Sequence, residues 1–566
     1  MRWFSRLGLV LLALAWLPPG HYPPWPSFQG EFLAALGLLL LGLHQALDRP
    51  KRADRWPAIA AMGFFLALLP VLQWWGGQIH YLTDVVLAAS YLAGVTLAIV
   101  LGWHGCPLPA AEATDAHFSR PAWQGDLPTG LFISLLVAAA VSVALALGQW
   151  AGWQAMWLAD LRPGARPFGN LGQPNQLASL MGWGLVATLY LHERRSLGVL
   201  GAAVLAVWMA LGLAMTQSRT AWVFSAGLLV FHLTFRRRAG LRTPPAAALM
   251  LAAGLALLVL AWPKLNQHLL LTDASAWQER LQPGVRSDLW DGLWLAIRQS
   301  PWLGWGLNQG VVAQYAAAAQ GQGGGRMLDY AHNLAIDLAL WVGLPMATLI
   351  LAATLLWAWR QFRRCDTPEA WCLLAGLVVL AVHAMTEYPH AYLYFLLPAG
   401  LFLGALERLN PEARTLPIPR WVEPALLAVG LLLLGAIATA YLQVEEDERS
   451  VRFALARIDT PPPLGAASSG LMDLPVAYQH FRLAQVHGGM SPAELESMRQ
   501  LVERRPFPPA LLRYALAAGL NGRVDEARRA LTALCHMHPA ARCEEGRSAW
   551  RVAQERYPEI RSISPP

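Results

Sequence analysis

The sequence predicts an all-α polytopic membrane protein of about thirteen transmembrane helices followed by a small soluble helical domain. Three observations lead there. Of 566 residues, 55% are hydrophobic and only 14% charged, against roughly a quarter charged in an ordinary soluble chain. Mean hydropathy is +0.36. The apolar residues fall into blocks of about 20, the length that carries a helix across roughly 30 Å of hydrocarbon. The five cysteines include no C-x-x-C pair, so neither a zinc centre nor a dithiol redox centre built on that motif is expected.

Taken in order, the blocks are 4–18, 31–47, 56–73, 84–103, 129–148, 175–192, 196–215, 219–235, 245–262, 333–358, 368–386, 390–406 and 421–441. Positive charge orients them. Alternate breaks, with the amino terminus, hold nineteen lysines and arginines, including Lys51, Arg52, Arg194, Arg195, Arg236, Arg237, Arg238, Arg360, Arg363 and Arg364. The other breaks hold eight, among them Arg162, Arg166, Arg219, Arg286 and Arg326. The richer side is cytoplasmic, so the first block reads as an uncleaved anchor with its amino terminus inside. Residues 442–566 then lie outside the cytoplasm. The net charge of +7 is spread through short loops, which fits membrane orientation and argues against nucleic acid.

The chain divides on composition into 1–441, a membrane part that includes the extracytoplasmic segment 263–332, and 442–566, a soluble tail. Charge rises abruptly at Glu445, Glu446, Asp447, Glu448 and Arg449. Ser491-Pro492-Ala493-Glu494 is a capping box with proline in the first turn, opening a helix toward Arg505. A second helix runs from about Pro509 to Leu520, a third from Val524 to about Met537, and the pair resembles a single tetratricopeptide unit. Cys535 and Cys543 share the oxidising side; paired and unpaired states are equally compatible with their spacing.

Candidate chemistry sits at helix ends on the outer face. Arg219, in Thr216-Gln217-Ser218-Arg219-Thr220, and Arg286, in Gly284-Val285-Arg286-Ser287-Asp288, stand on the side where cations are disfavoured. A guanidinium offers five fixed donors and a permanent charge, suited to a phosphate or diphosphate; the bland alternative is snorkelling or pairing with a carboxylate. His332, where the tenth block begins, is the side chain suited to taking a proton from a hydroxyl near neutral pH. Asp329 and Asp337 are both candidates to orient it. Two polar strings share this face. Asn170, Gln173, Asn175 and Gln176 lead into the sixth block, and Glu387, Tyr388 and Tyr392 join the eleventh to the twelfth. Amides, hydroxyls and flat aromatic faces are what a sugar needs, although the same residues are ordinary turn formers.

Other signals carry less. The run Gly321 to Arg326 lacks the GK[ST] ending of a phosphate loop and reads as a mobile loop able to close over a substrate. No H-E-x-x-H or acidic metal loop occurs, so neither metal nor cofactor is expected. A transporter or flippase would show internal repeats and midplane charges; here the polar clusters gather on one face.

The strings GNLGQPNQLAS (169–179), TQSRTAW (216–222), PWLGWGLNQ (301–309), AHNLAIDLALWVGLP (331–345) and TEYPHAYLYFLLP (386–398) resemble those of bacterial O-linked oligosaccharyltransferases of the PglL type, within the O-antigen ligase and polymerase superfamily. His21-Tyr22-Pro23-Pro24-Trp25 with Glu31, and the helical tail, are similar to that branch too. The resemblance implies a GT-C-like fold in the bacterial inner membrane with a periplasmic tail. It implies transfer of an oligosaccharide en bloc from undecaprenyl pyrophosphate to serine or threonine of a periplasmic protein, such as a type IV pilin. It places the catalytic base on His332, the pyrophosphate on Arg219 and Arg286, and a loop tyrosine on Tyr388. The glycan or acceptor path falls to Asn170, Gln173, Asn175, Gln176, Glu387, Tyr388 and Tyr392. A sister enzyme acting on lipid A core or on another glycan chain is the nearest rival.

Overall fold

The computed structural model describes residues 2–48, 54–107, 126–162, 164–269, 285–458 and 470–566. Every one of the thirteen apolar blocks is helical: α1 (Arg2–Leu14), α2 (Phe28–Asp48), α3 (Ala58–Trp75), α4 (Leu82–Gly105), α5 (Leu127–Trp150), α6 (Pro174–Glu193), α7 (Val199–Thr216), α8 (Arg219–Phe235), α9 (Pro245–His268), α12 (Leu334–Phe362), α13 (Pro368–Thr386), α14 (Leu393–Leu409) and α15 (Val422–Ala456). Between α9 and α12 lie α10 (Val285–Gln299) and α11 (Gly310–Ala318). Among the described residues, nine of these helices are long and apolar enough to cross a membrane, and α1 and α8 contribute shorter apolar stretches. The protein is an all-α, multi-pass membrane protein; a count of thirteen crossings exceeds those nine.

The chain forms two compact units. One comprises 1–67, 90–281 and 355–436; the other comprises 68–89, 282–354 and 437–566. In the first, α4 and α14 meet backbone to backbone. A methyl group on Gly102 would collide with the Leu401 carbonyl and one on Gly404 with the Ile99 carbonyl, the close approach that small residues permit between helices in lipid. Trp16, Trp183 and Phe395 form an aromatic core with centroids 4.8–5.8 Å apart, and the Trp183 indole donates to the Gly376 carbonyl at 2.8 Å. A short antiparallel pair, β1 (Asp54–Pro57) with β2 (Thr415–Ile418), is an element that hydropathy does not announce.

In the second unit the tenth block, expected to be continuous over 333–358, is broken. Gly343 leaves the helical region at φ 76°, two residues before Pro345, which brings no N–H to the ladder. The carbonyls released by the break find donors in the 301–309 string: Trp305 N–H donates to Leu340 at 2.6 Å and Gly306 N–H to Trp341 at 3.1 Å. Gln73 closes the junction, donating to the Trp341 carbonyl at 2.9 Å and accepting from Leu307 N–H at 2.9 Å. A side chain at Gly343 would strike the Trp302 carbonyl, so glycine is required there.

The tail consists of α16 (Asp473–Leu483), α17 (Pro492–Arg504), α18 (Pro508–Leu520), α19 (Val524–Met537) and α20 (Ala540–Arg556). The Ser491/Glu494 capping box is present in full; α16 and α20 go beyond the sequence reading. Tail residues Leu501, Val502, Leu511, Tyr514, Leu531 and Leu534 share one apolar core with Val311, Tyr315 and Ala318 of α11, which is why 282–354 groups with the tail. Asp473 caps α4 from 390 residues away, accepting from the N–H groups of Leu82 and Thr83, each at 2.8 Å. Arg504 grips Asp84 with two bonds of 2.7 and 2.8 Å, and Gln309 donates to the same carboxylate. Cys535 and Cys543 are joined in a disulfide, whereas Cys106, Cys365 and Cys372 are free and buried. At the end of the glycine-rich run, Gly325 N–H donates to the His536 carbonyl at 2.9 Å.

Candidate active site

In the first unit, two buried amides shape the approach to α6. Gln149 accepts from Phe168 and Gly169 N–H at 3.0 and 2.9 Å, and donates to the Ala159 and Gly169 carbonyls. Asn170, 2% exposed, accepts from Ala159 N–H and donates to the carbonyls of Leu17 and Trp157. His21 Nε2 donates to the Asn170 carbonyl at 2.8 Å. The Asn170 side chain therefore builds the loop. Gln176, also 2% exposed, accepts from the Tyr394 hydroxyl at 2.9 Å.

Gln173 and Asn175 turn the other way, onto Glu387. Their amides donate to its two carboxylate oxygens at 3.3 and 2.9 Å. Ser218 donates to Asn175 Oδ1 at 2.7 Å, and the next residue, Arg219, opens α8 with its side chain exposed. The turn before it is held by Arg166, which donates to the Thr216 and Gln217 carbonyls at 3.2 Å each. Gln217 occupies the left-handed region at φ 48°. Tyr388 and Tyr392 are half-buried and stack at 6.0 Å, and Tyr392 continues onto Tyr394 at 5.2 Å. This unit therefore presents an exposed guanidinium on a wired turn, together with an aromatic ladder of the kind a sugar face packs against.

In the second unit, His332 is half-buried and itself adopts the left-handed conformation, at φ 56°, a costly state for a residue with a side chain. Its neighbours hold it there. Asp337, fully buried, accepts from Ala331 N–H at 2.8 Å, and the Trp290 indole donates to the Ala331 carbonyl at 3.1 Å. On the other side Asn333 accepts from Ala335 N–H at 3.0 Å and caps α12. Of the two carboxylates the sequence left open, Asp337 ties down the backbone beside the imidazole, while Asp329 is exposed. The Arg286 backbone lies in the first turn of α10, one turn before Trp290; its side chain lies outside the described residues.

The sequence reading named Arg166 and Ser218 without giving either a role, and did not name Gln149 or Trp290. Only Arg166 carried a signal, as a cation on the side where cations are disfavoured.

Three regions match known families: residues 371–553 match the C-terminal part of a virulence factor membrane-bound polymerase, 204–351 an O-antigen ligase, and 167–192 a protein glycosylation ligase. A general O-oligosaccharyltransferase of Acinetobacter baylyi is 27% identical over 555 residues, covering 94% of this chain and 92% of the relative. A ComP-specific O-oligosaccharyltransferase of the same organism is 27% identical over 407 residues, 71% of each chain. The resemblance read in the sequence therefore holds: the chain is similar over nearly its whole length to a general O-oligosaccharyltransferase, and over shorter stretches to an O-antigen ligase and a protein glycosylation ligase.

Proposed function

We propose that the protein transfers a preassembled oligosaccharide from undecaprenyl pyrophosphate to a serine or threonine hydroxyl of a periplasmic protein, a type IV pilin being the acceptor class expected. One observation carries this reading. The likeness to a general O-oligosaccharyltransferase covers 94% of the chain, too much to leave out either the membrane part or the 125-residue tail. In this reading the acceptor hydroxyl attacks the anomeric carbon as the bond to the pyrophosphate oxygen breaks. His332 takes the hydroxyl proton, and Arg219 and Arg286 balance the charge gathering on the departing lipid pyrophosphate. The sugar arrives already activated, so no nucleotide is consumed; metal independence is inferred separately, from a sequence without H-E-x-x-H or an acidic metal loop.

The amino terminus is assigned to the cytoplasm of a bacterial inner membrane and the tail to the periplasm. The basic bias of alternate loops supports this orientation. So does the Cys535–Cys543 disulfide, a bond that persists in oxidising compartments.

The match of residues 204–351 to an O-antigen ligase favours a second reading, with lipid A core or a growing glycan as acceptor. Co-expression with a lipid-linked glycan and a candidate pilin, in a host lacking its own ligase, separates the two. The expected result is pilin heavier by one oligosaccharide; unmodified pilin beside glycan-bearing lipopolysaccharide would establish the second reading instead.

A further inference from the structure

Glu387 is 4% exposed, just past the last residue of α13. A carboxylate can only accept, and its two oxygens take the Gln173 and Asn175 amides. That sets the direction of everything beyond it. With its nitrogen committed to Glu387, the Asn175 amide turns its oxygen to Ser218, whose hydroxyl donates at 2.7 Å. Ser218 occupies the N-cap position of α8, yet its side chain makes no capping bond. Beside this chain runs a second clasp, Thr220 Oγ1 to Thr386 Oγ1 at 2.9 Å. Arg219 lies between the two clasped residues, exposed while Ser218 and Thr220 are buried.

We propose that Glu387 is a positioning residue for Arg219: acting through Asn175 and Ser218, it fixes the turn from which the guanidinium meets a lipid pyrophosphate, and it makes no contact of its own with glycan or acceptor. This rests on the pyrophosphate role given to Arg219 above. It separates Glu387 from Tyr388 and Tyr392, with which the sequence groups it.

The test exploits hydrogen-bond direction. In N175D a carboxylate meets the Glu387 carboxylate with no donor between them at neutral pH, and the link is broken whichever way either group turns. In the double variant E387Q/N175D, the new amide donates to the new carboxylate, whose second oxygen still accepts from Ser218. The chain is restored while the negative charge has moved by one residue. Two quantities are read in membranes: the Kd for undecaprenyl pyrophosphate alone, and the KM values for donor and acceptor. Loss of one charge-assisted bond corresponds to about a tenfold effect.

N175D is expected to weaken pyrophosphate binding and raise the donor KM about tenfold with the acceptor KM unchanged, and E387Q in the same chain to recover most of it. Both variants accumulating normally, with the double no better than the single or with the loss confined to the acceptor KM, would overturn the proposal. If N175D fails to accumulate, S218A breaks only the last link; a weakened pyrophosphate Kd supports the chain and an unchanged one removes it. Because that Kd needs no acceptor, a wild-type protein that binds the lipid but glycosylates no protein would sink the functional reading and leave this one standing.

Discussion

Two turns carry the candidate chemistry, and each relies on a non-glycine residue in the left-handed region. In the first unit that residue is Gln217, two positions before the exposed Arg219; in the second it is His332 itself. The strain thus falls on a neighbour in one case and on the candidate base itself in the other. Arg219 stands on regular helix, so its aim depends on the side chains that anchor the turn. The direction of His332 is set by its own backbone, which Asp337, Trp290 and Asn333 bracket. A cation that grips a flexible lipid pyrophosphate tolerates some play, whereas a base must meet one proton within hydrogen-bond reach.

The largest expected effect separates backbone from imidazole. H332A should lower transfer by about 10²–10⁴-fold, the usual contribution of a general base, with the protein still inserted. H332G should lose as much activity yet accumulate at least as well, because glycine adopts φ 56° without the side-chain cost of about 1–2 kcal/mol. Intact mass of pilin co-expressed with each variant is the measurement. Normal glycosylation by either would remove the base.

The next effect lies where the second unit uses charge. Removing Asp84 leaves Arg504, its side chain 11% exposed, without its ion-pair partner, a change that costs about 3–5 kcal/mol when both groups are buried. D84A should therefore expose the tail to protease in native membranes. A digestion rate equal to that of wild type would show that Arg504 finds other compensation. The first unit anchors its turn largely with amides and hydroxyls, and substitutions there should register more in donor affinity. R219K keeps the charge but loses the planar fork, so kcat/KM should fall about 10- to 100-fold, mainly through the donor KM. Full activity with lysine would count against two-point contact with a diphosphate.

Smaller still is the contrast at Asp337. D337N retains an oxygen able to accept from Ala331 N–H; D337A does not, and leaving that buried donor unsatisfied costs about 1–3 kcal/mol. Transfer should survive the first substitution better than the second. The reverse order would assign Asp337 a role in its charge and not in the backbone bond.

How far such features could be read in advance follows from what each depends on. The thirteen apolar blocks all became helices because a long apolar stretch in lipid must satisfy its backbone internally. The capping box at Ser491 is equally local, since partner and cap lie three residues apart. The break in α12 escaped because hydropathy is blind to φ: Gly343 and Pro345 were visible, but the donors that reward the break belong to the 301–309 string. The chain from Glu387 to Ser218 escaped for the same reason. Asn175 and Glu387 are 212 residues apart, and nothing in either string says that one amide faces the other carboxylate. His332 and Arg219 could be singled out as residue types in an unusual place, whereas the way each is held could not.

The last contrast is with pH. In the tail, His538 is 8% exposed and donates from Nε2 to the Pro506 carbonyl at 2.8 Å. Burial, reinforced by the positive charge of Arg542, holds its pKa below the ordinary 6.5. The unfolded tail therefore takes up this proton first as pH falls, so the stability His538 contributes is complete above about 6.5 and drains away as pH drops through the depressed folded value. His80 shifts in the same direction, from burial and the nearby Arg499. Glu503 opposes them, because burial raises its carboxyl above 4.5 and favours the protonated folded form in acid. Protease digestion of the tail in native membranes should accordingly be faster at pH 5.5 than at pH 7.5, with ionic strength held constant. H538Q, whose amide can still donate to Pro506, should flatten part of that dependence, and a slope identical to wild type would exclude His538 as its source.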